Sequence, residues 1–469
     1  MSSIGDAVPP YALGALDGRY RTVVAPLVEH LSEPALNRAR VHVEVEWLIH
    51  LTDHAVVPGV RALTDPERRA LRAVASGFGT DEVAELAEIE RETVHDVKAV
   101  EYFLKRRLCG IAPSGSDRGL GELIHFGCTS EDINNLAYAL MVRGAVASVW
   151  LPRATDLVDQ VADMAQDLRD VPLLAHTHGQ PATPTTMGKE LAVLAFRLRR
   201  QLTRIRRAEF LGKLNGATGT YGAHLAGLPE VDWPATSRSF VEGLGLTWNP
   251  LTTQIESHDW QAELYADVAR FNRILHNLCT DVWTYISLGY FAQVRGQGTV
   301  GSSTMPHKVN PIRFENAEAN LEVSSALFDL LGSTLVQSRL QRDLTDSSMQ
   351  RNIGSAFGHS LLALDNASRG LSGLDAVPEA MEADLDANWE VLGEPVQSAM
   401  RVLAAQGVTG MDDPYERLKD LTRGRRVTQG DLKEFIAGLG LPEGIAARLS
   451  AMTPQTYVGA APELVGFLD

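Results

Sequence analysis

The stretch GSSTMPHKVNP, residues 301–311, concentrates hydroxyl groups, cations and prolines in a chain otherwise rich in helical patterns. Glycine and serine disfavour a helix interior, and Pro306 and Pro311 would interrupt one. Backbone amides, serine hydroxyls, Lys308 and Asn310 could together hold a carboxylate or a phosphate. The residue types therefore predict an anion-binding loop, although the spacing is not that of a GxxxxGK[ST] phosphate loop.

A second polar segment, HTHGQPATP (residues 176–184), places His178 directly before a Gly-Gln-Pro turn. Imidazole titrates near neutral pH, so a histidine that projects from a turn can exchange a proton with a ligand. A surface histidine without a role is the alternative interpretation.

A third segment, HFGCTSEDINN (residues 125–135), has Thr129 and Ser130 directly before two acidic residues. This order predicts the N-terminus of a helix, where backbone amides can bind an anion. Asparagines are poor interior helix residues, so Asn134 and Asn135 are not explained by capping alone.

Two further segments carry charged residues at helical spacing or close together. In ETVHDVKAVEYF (residues 92–103), His95 shares a predicted helix face with Lys98 and Tyr102; a solvated or interface face is the alternative. In QRDLTDSSMQRN (residues 341–352), two arginines flank two serines. Such a segment suits a phosphate, and structural ion pairs with neighbouring aspartates are the competing interpretation.

The helices that must position these segments are long. Apolar residues recur at spacings of three and four through residues 150–168, 190–211, 262–290 and 314–340, and strand-like alternation is rare. Helices of this length need partners on several faces, so we expect a helical bundle and self-association. The predicted layout is an N-terminal helical domain at 1–115, a central long-helix bundle at 116–368 and a C-terminal helical domain at 369–469.

Composition narrows the class of protein. The 469 residues include 43 Lys and Arg against 59 Asp and Glu, a formal net charge of −16, which argues against nonspecific nucleic-acid binding. The three cysteines show no CxxC spacing, and the histidines show no zinc spacing. The N-terminus has no leader pattern and no stretch is apolar enough to span a membrane, so we expect a cytoplasmic protein.

Seven motifs, taken in the order in which they occur, give the chain a family resemblance. They are LDGRY, HDVKAVEYF, HFGCTSEDINN, THGQPATP, TTQIESHD, GSSTMPHKVNP and QRDLTDSSMQRN. The loop at 301–311 resembles that of the fumarase and aspartase superfamily. The whole set resembles the adenylosuccinate lyases, in their longer bacterial form, and spans nearly the entire chain.

The resemblance implies specific roles for individual residues. Ser302 would be the catalytic base, His178 the acid, Lys308 a stabilising cation, and His95 a support for the acid step. The implied substrate-binding residues are Arg19, Tyr20, Asp96, Thr129, Ser130, Gln254, Ser303, Asn310, Asn316, Arg342, Ser347 and Arg351. Two positions depart from the family pattern: Val94 stands where asparagine usually precedes the HD pair, and His176 where arginine is common two residues before His178.

The resemblance also implies an all-α fold of three helical domains whose central helices form a homotetrameric core, with each active site built from three chains. The implied reaction is a C–N bond elimination that releases fumarate from a nucleotide substrate in purine biosynthesis, with no cofactor and no metal. The alternatives are another fumarate-releasing lyase, such as argininosuccinate lyase, fumarase or aspartase, and a catalytically silent helical scaffold.

Overall fold

The computed structural model describes residues 13–112, 117–293, 309–422 and 427–468. α-Helices account for most of these residues, and the strands in them are only two or three residues long. The prediction of an all-α fold is therefore confirmed.

The helices follow one another through the described ranges. They are α1 (Arg21–Leu31), α2 (Glu33–Asp53), α3 (Asp65–Ser76), α4 (Thr80–Thr93), α5 (Asp96–Ile111), α6 (Asp117–Gly121), α7 (Ser130–Ala145), α8 (Leu151–Asp167), α9 (Met187–Arg206), α10 (Gly222–Gly227), α11 (Trp233–Gly243), α12 (Asp259–Ser287), α13 (Ile312–Leu335), α14 (Thr345–Gln350), α15 (Ile353–Leu371), α16 (Pro378–Asp386), α17 (Gly393–Ala405), α18 (Pro414–Thr422), α19 (Gln429–Gly438), α20 (Glu443–Ala451) and α21 (Ala461–Leu464). A π-helical turn, Val146–Trp150, joins α7 to α8, and two 3₁₀ helices lie at Trp389–Leu392 and Val465–Leu468.

The strands form four separate pairs. They are β1 (Pro172–Leu173), β2 (His176–Thr177), β3 (Gln180–Pro181), β4 (Thr185–Thr186), β5 (Leu211–Gly212), β6 (Thr247–Trp248), β7 (Phe291–Gln293) and β8 (Leu374–Ala376). β1 pairs with β4, β2 with β3 and β7 with β8, all antiparallel, whereas β5 and β6 are parallel. These pairs fix the ends of loops between helices.

The predicted helices at 190–211 and 314–340 both end earlier than expected, at Arg206 and Leu335. After α9 the chain enters β5, and after α13 it reaches Leu340 with a left-handed backbone φ of 51°. Apolar residues continue past the end of α13, but they no longer face the interior, since Val336 is 42% exposed and Leu340 is 88% exposed. Apolar spacing alone therefore does not fix where a helix ends.

The chain divides into two compact units, each formed by segments that are not consecutive in sequence. The first contains Met1–Ala154, Gln201–Arg273 and Ala319–Asp365, and the second contains Thr155–Arg200, Ile274–Glu318 and Asn366–Asp469. The three-domain division from the sequence stays a prediction.

In the first unit, α2 packs against α7 around large buried aromatic residues. Trp47, Trp150 and Trp233 are fully buried. Their indole N–H groups donate to the Phe126 carbonyl, the Ser360 hydroxyl and the Leu228 carbonyl at 2.8–3.1 Å. Buried tryptophans with satisfied N–H groups combine a large apolar area with a fixed orientation, so this core is specific as well as stable.

In the second unit, α17 to α20 and the 3₁₀ helix before them enclose what we call the C-terminal cluster. Its buried members are Leu392, Val396, Met400, Leu403, Met411, Leu418, Val427, Leu432, Ile436, Leu439 and Leu449. All are aliphatic or methionine side chains, so burial of apolar area is the main stabilising contribution to this part of the fold.

Across the described ranges, no helix has both the length and the apolar character needed to cross a lipid bilayer.

Candidate active site

A cavity of about 440 Å³ lies within the first unit. Its volume is in the range of pockets that take small-molecule ligands. Eight of the predicted site residues line it: His95, Asp96, Thr129, Ser130, Gln254, Arg342, Ser347 and Arg351. The other lining residues are Arg40, Glu131, Asn134, Tyr138, Leu344 and Ser348. Segments that are far apart in sequence therefore meet at one cavity.

The N-terminus of α7 forms one wall of this cavity. Thr129 is its N-cap, with extended backbone angles, and its N–H donates to Asp132 Oδ2 at 2.8 Å. The predicted helix N-terminus at Thr129 and Ser130 is thus confirmed. Because the positive end of the helix dipole faces the cavity at this point, the wall favours an anionic ligand group.

A layer of buried polar residues supports α7 from behind, and we call it the polar layer: Asp132, Asn135, Lys213 and Asn215. Lys213 Nζ lies 2.8 Å from Asp132 Oδ1, and both side chains are 0% exposed. The same carboxylate accepts the backbone N–H of Asn215 at 2.9 Å. Asn135 Oδ1 accepts the N–H of Lys213 at 2.8 Å, and its amide donates to the Lys213 carbonyl at 3.0 Å. The first turn of α7 is therefore held by charge and hydrogen bonds.

His95 and Asp96 stand at the start of α5, on another wall. His95 is the N-cap of α5, and its Nδ1 accepts the Lys98 N–H at 3.2 Å. Since Nδ1 is an acceptor, a neutral His95 carries its proton on Nε2. The sequence prediction of a shared face with Lys98 and Tyr102 is therefore wrong for His95, which precedes the helix and is held by its cap.

Arg40, on α2, holds Asp96 in place. Arg40 Nη2 donates to Asp96 Oδ2 at 2.7 Å, and Arg40 Nε donates to Asn134 Oδ1 at 2.9 Å. Burial would raise the pKa of Asp96, but the Arg40 guanidinium outweighs it and lowers that pKa. Asp96 is therefore a carboxylate at neutral pH. Tyr138 is different, since burial raises its pKa to about 12 and keeps the phenol neutral.

Arg342 connects the remaining walls. Its Nη1 lies 2.8 Å from Glu131 Oε1 and 3.3 Å from Gln254 Oε1, and its Nη2 donates to Ser347 Oγ at 3.2 Å. Gln254 is fixed in turn by donating to the Ala217 carbonyl at 2.9 Å. The expected alternative, a pair with a neighbouring aspartate, is weak, because Arg342 Nη2 is 3.9 Å from Asp346 Oδ1. Arg342 instead pairs with a residue of α7.

Arg351 differs from Arg342 in its surroundings. Its side chain is 47% exposed, and its Nη1 pairs with Glu33, which is itself 68% exposed. Ser347 near Arg342 is oriented by its own N–H, which donates to the buried Asp346 Oδ1 at 2.7 Å. Besides Arg40, which pairs with Asp96, the cavity thus contains one arginine with a buried acidic partner and one with a solvated partner.

His178 lies in the second unit, at the tip of the β2–β3 hairpin. His178 and Gly179 form its two-residue turn, with φ values of 55° and 72°. Positive φ at both positions is typical of the type I′ turn that suits a hairpin, and histidine tolerates it better than β-branched residues do. The side chain is exposed, as the sequence predicted for a histidine on a turn.

Four other predicted residues are described by the structure but do not line this cavity. Asn310 and Asn316 belong to the second unit and are both half-buried. Arg19 and Tyr20 precede α1 in the first unit, and the structure does not place them among the lining residues of the cavity. Ser302, Ser303 and Lys308 lie outside the described residues.

Several lining residues are not among the predicted site residues. Glu131, Asn134 and Tyr138 recur at spacings of three and four, so a helix beginning at Ser130 would have placed them on one face. Arg40 had no such indication, because one arginine in a long helix resembles a surface residue until its partners are known. Among the described residues, no group of three or more His, Cys, Asp and Glu side chains is arranged to hold a metal ion.

Comparison with known families matches both parts of the chain. Residues 18–323 match the family described as Lyase, and residues 338–458 match the family described as Adenylosuccinate lyase C-terminal. Together the two matches include every predicted site residue.

Individual relatives extend the similarity to nearly the full length. An adenylosuccinate lyase of Escherichia coli K12 is 49% identical over 454 residues, covering 97% of this chain and 98% of the relative. One from Vibrio cholerae is 47% identical and one from Haemophilus influenzae is 46% identical, with the same coverage.

Solved structures share the fold at lower identity. A fumarate lyase from Mesorhizobium sp. BNC1 has a TM-score of 0.73 at 20% identity, covering 95% of this chain and 96% of that one. A 3-carboxy-cis,cis-muconate lactonizing enzyme from Pseudomonas putida has a TM-score of 0.72 at 20% identity, covering 94% and 96%. From the sequence matches, this chain belongs to the adenylosuccinate lyase family.

Proposed function

We propose that the protein cleaves adenylosuccinate to AMP and fumarate. In the same way it would cleave succinylaminoimidazole carboxamide ribotide to the carboxamide ribotide and fumarate, in purine biosynthesis in the cytoplasm. The observation that carries this proposal is the near-full-length identity to adenylosuccinate lyases of 49% and 47%, joined to a cavity lined by eight predicted site residues.

The cavity supports binding of a substrate with a phosphate and two carboxylates. We assign the phosphate to Arg342, Ser347 and Arg351, which supply cations and a hydroxyl donor. We assign the succinyl group to Thr129, Ser130 and Gln254, near the positive end of α7. Asp96 would accept hydrogen bonds from the ligand, and Arg19 and Tyr20 would complete the nucleotide site.

The elimination itself needs a base and a stabilised carbanion. Ser302 would remove the proton from the carbon beside a carboxylate, and that carboxylate then carries the developing negative charge. Lys308 and Asn310 suit stabilisation of this charge, with Ser303 and Asn316 binding the same part of the substrate. The electron pair of the broken C–H bond forms the double bond of fumarate as the C–N bond breaks.

The departing nitrogen must gain a proton, and we assign His178 as the acid that supplies it. We assign His95 a supporting role in this step. Its Nδ1 accepts the Lys98 N–H, so a neutral His95 carries its proton on Nε2 and can donate a hydrogen bond from that atom. The reaction removes one proton from the substrate carbon, adds one proton to the departing nitrogen and breaks one C–N bond. It involves no change of oxidation state that would call for a redox cofactor.

Self-association fits the long helices. Large apolar side chains on α9, α12 and α13 are exposed in the single chain: Val193, Phe196, Trp283, Val323 and Leu330 are each 42–49% exposed. Exposed apolar residues at this density on long helices indicate a contact surface. We propose a homotetramer in which three chains contribute residues to each active site.

The decisive assay adds adenylosuccinate to the purified protein and follows absorbance, with fumarate and AMP quantified separately. Argininosuccinate and malate are run beside it. Release of fumarate and AMP from adenylosuccinate alone is the expected result. Turnover of another compound in its place would move the protein to a sister lyase, and silence with every substrate would favour the scaffold alternative.

Ser302→Ala and His178→Ala test the assigned roles. Each should abolish turnover and leave the mass of the oligomer, measured by light scattering, unchanged. If residues from different chains share a site, mixing and reassociating the two inactive variants should restore part of the activity. Near wild-type turnover in either variant would remove that residue from its role.

A further inference from the structure

We propose that Glu131 sets the orientation and the effective charge of Arg342, and thereby limits how tightly the enzyme holds its phosphate-bearing product. The inference rests on the proposed function, in which Arg342 binds the nucleotide phosphate. Glu131 would be a positioning residue, because it acts on the ligand through Arg342.

Glu131 joins the two halves of the cavity wall through one oxygen. Its Oε1 lies 2.8 Å from Arg342 Nη1 and accepts a hydrogen bond from Asn134 Nδ2 at 2.8 Å. Asn134 Oδ1 accepts in turn from Arg40 Nε, and Arg40 holds Asp96. A continuous chain of bonds therefore runs from Asp96 on one wall to Arg342 on the other.

Burial makes the charge of Glu131 effective. Its side chain is 3% exposed, and that of Arg342 is 20% exposed. Water and salt screen a charge pair of this kind far less than they screen a surface pair. A phosphate that binds Arg342 meets a cation already partly neutralised by a carboxylate 2.8 Å away.

The three arginines that line the cavity differ in the carboxylate that pairs with each of them. Arg40 is committed to Asp96, and Arg351 has a solvated partner in Glu33. Arg342 is thus the arginine of the cavity wall whose charge is offset by a buried carboxylate that is itself part of that wall. An arginine without this offset would bind AMP more tightly and slow its release, so the carboxylate favours turnover over affinity.

Glu131→Gln separates the two effects of the carboxylate. Glutamine keeps an oxygen that can accept from Arg342 and Asn134, so the orientation of Arg342 is retained. It removes the negative charge, so the attraction between Arg342 and a phosphate should increase. If the loss of negative charge causes the gain in affinity, the gain should occur only for a ligand that carries a phosphate.

The experiment measures binding of AMP and of adenosine by calorimetry to the wild-type enzyme and to Glu131→Gln. We expect AMP to bind at least about fivefold more tightly to the variant, a modest part of what a buried charge pair can contribute. Adenosine affinity should not change. The constant for product inhibition by AMP should fall by the same factor as its dissociation constant.

Glu33→Gln is the matched control. It removes the carboxylate that pairs with Arg351, but the two side chains of that pair are 47% and 68% exposed. Solvent screening should leave its AMP affinity within about twofold of wild type. Combining Glu131→Gln with Arg342→Met should also abolish the gain, because the effect passes through Arg342.

Unchanged or weaker AMP binding in folded Glu131→Gln would overturn the inference, as would an equal gain for adenosine. Melting curves establish that the variant is folded, and Glu131→Met provides a second neutral side chain of similar length if it is not. Failure of the proposed function looks different, since the wild-type enzyme would then neither release fumarate nor bind AMP.

Discussion

Two buried regions of this protein are built on opposite principles. The C-terminal cluster of the second unit is entirely apolar, with Met400 and Val396 at 0% and 1% exposure. The polar layer beneath α7 in the first unit is equally buried, yet it contains the Lys213–Asp132 ion pair with both side chains at 0% exposure. One region excludes charge, and the other is organised around it.

This difference indicates what each region does. Apolar packing stabilises a fold at little cost, whereas burying an ion pair carries a desolvation penalty that its Coulombic attraction barely offsets. A folded chain gains no clear stability from Lys213 and Asp132 over apolar residues of equal size. What the pair does provide is a fixed position for Thr129 and Ser130 at the cavity wall, so we interpret the polar layer as part of the functional site.

Lys213→Met should produce the largest effect on stability. It leaves the Asp132 carboxylate buried with only backbone N–H donors, and an uncompensated buried charge costs about 3–5 kcal/mol. Urea denaturation at fixed protein concentration measures the loss. Turnover per folded molecule should fall as well, because Asp132 also holds the N-cap residue Thr129.

The double variant Lys213→Met with Asp132→Asn sharpens this test. Removing both charges should restore part of the free energy of unfolding lost in Lys213→Met, since no charge then remains buried without a partner. A Lys213→Met protein within about 1 kcal/mol of wild type would contradict the description of the layer as a charged core.

Leu403→Ala makes the corresponding change in the C-terminal cluster. Leu403 is 3% exposed on α17, and truncating a buried leucine costs about 2–5 kcal/mol by loss of transfer energy and creation of a cavity. We expect kcat/KM per folded molecule to remain within about twofold of wild type, as for a change away from the reacting groups. A fall in kcat/KM as large as that of Lys213→Met would mean that the two regions do not differ in function.

The sequence predicted the two regions unequally. For the C-terminal cluster the sequence predicted only a helical domain at 369–469, whereas the N-terminus of α7 follows from Thr129 and Ser130 before acidic residues. The pairing of Asp132 with Lys213 could not be predicted, because 81 positions separate them and nothing local distinguishes Lys213 from a surface lysine. Local capping rules reach about one helical turn, whereas buried charge partners are set by the tertiary fold.

The cavity shows the same limit. Motifs identified eight of its lining residues, but the partners that orient them, Arg40 and Glu131, emerged only from the structure. The predicted residues occur in recognisable motifs such as HFGCTSEDINN and QRDLTDSSMQRN. A residue that orients one of these side chains needs only a suitable charge at a suitable position. Many positions in a long helix can supply such a charge, so no local motif marks the residue.

His125→Asn should have a smaller effect that depends on pH. His125 Nδ1 lies 2.6 Å from Glu44 Oε1, and Glu44 is completely buried. Burial would lower the pKa of His125, but the Glu44 carboxylate outweighs it, and the pKa is raised above its ordinary value near 6.5. Asparagine tolerates the backbone φ of 61° at this position and retains a donor to Glu44.

The sign of this pH dependence follows from the raised pKa. A folded-state pKa above the unfolded value gives stability that is fully present below the unfolded pKa and is lost as pH rises through the folded pKa. Each pKa unit corresponds to about 1.4 kcal/mol. Denaturation from pH 5 to pH 9 should show the wild-type advantage over His125→Asn greatest at acidic pH and shrinking above neutrality. An advantage that grew with pH would contradict the assignment.

Val94→Asn should give the smallest effect, and a stabilising one. Val94 caps α4 with φ 51° and ψ 31° and is 88% exposed, so a β-branched residue occupies the left-handed region without burying its side chain. Asparagine adopts this conformation more readily, and relief of the strain should stabilise the fold by about 1 kcal/mol. Thermal melting at fixed protein concentration measures the gain.

Val94→Gly separates backbone strain from side-chain chemistry, because glycine relieves the strain without adding a polar group. If only the backbone matters, both variants should keep wild-type kcat/KM. Val94 directly precedes His95, however, and the family resemblance implies an asparagine at this position. A gain in kcat/KM with asparagine that glycine does not reproduce would show that an amide at this position contacts the substrate. The surface next to His95 would then resemble the polar layer, because in both places the functional site, and not the stability of the fold, would determine which residue is favourable.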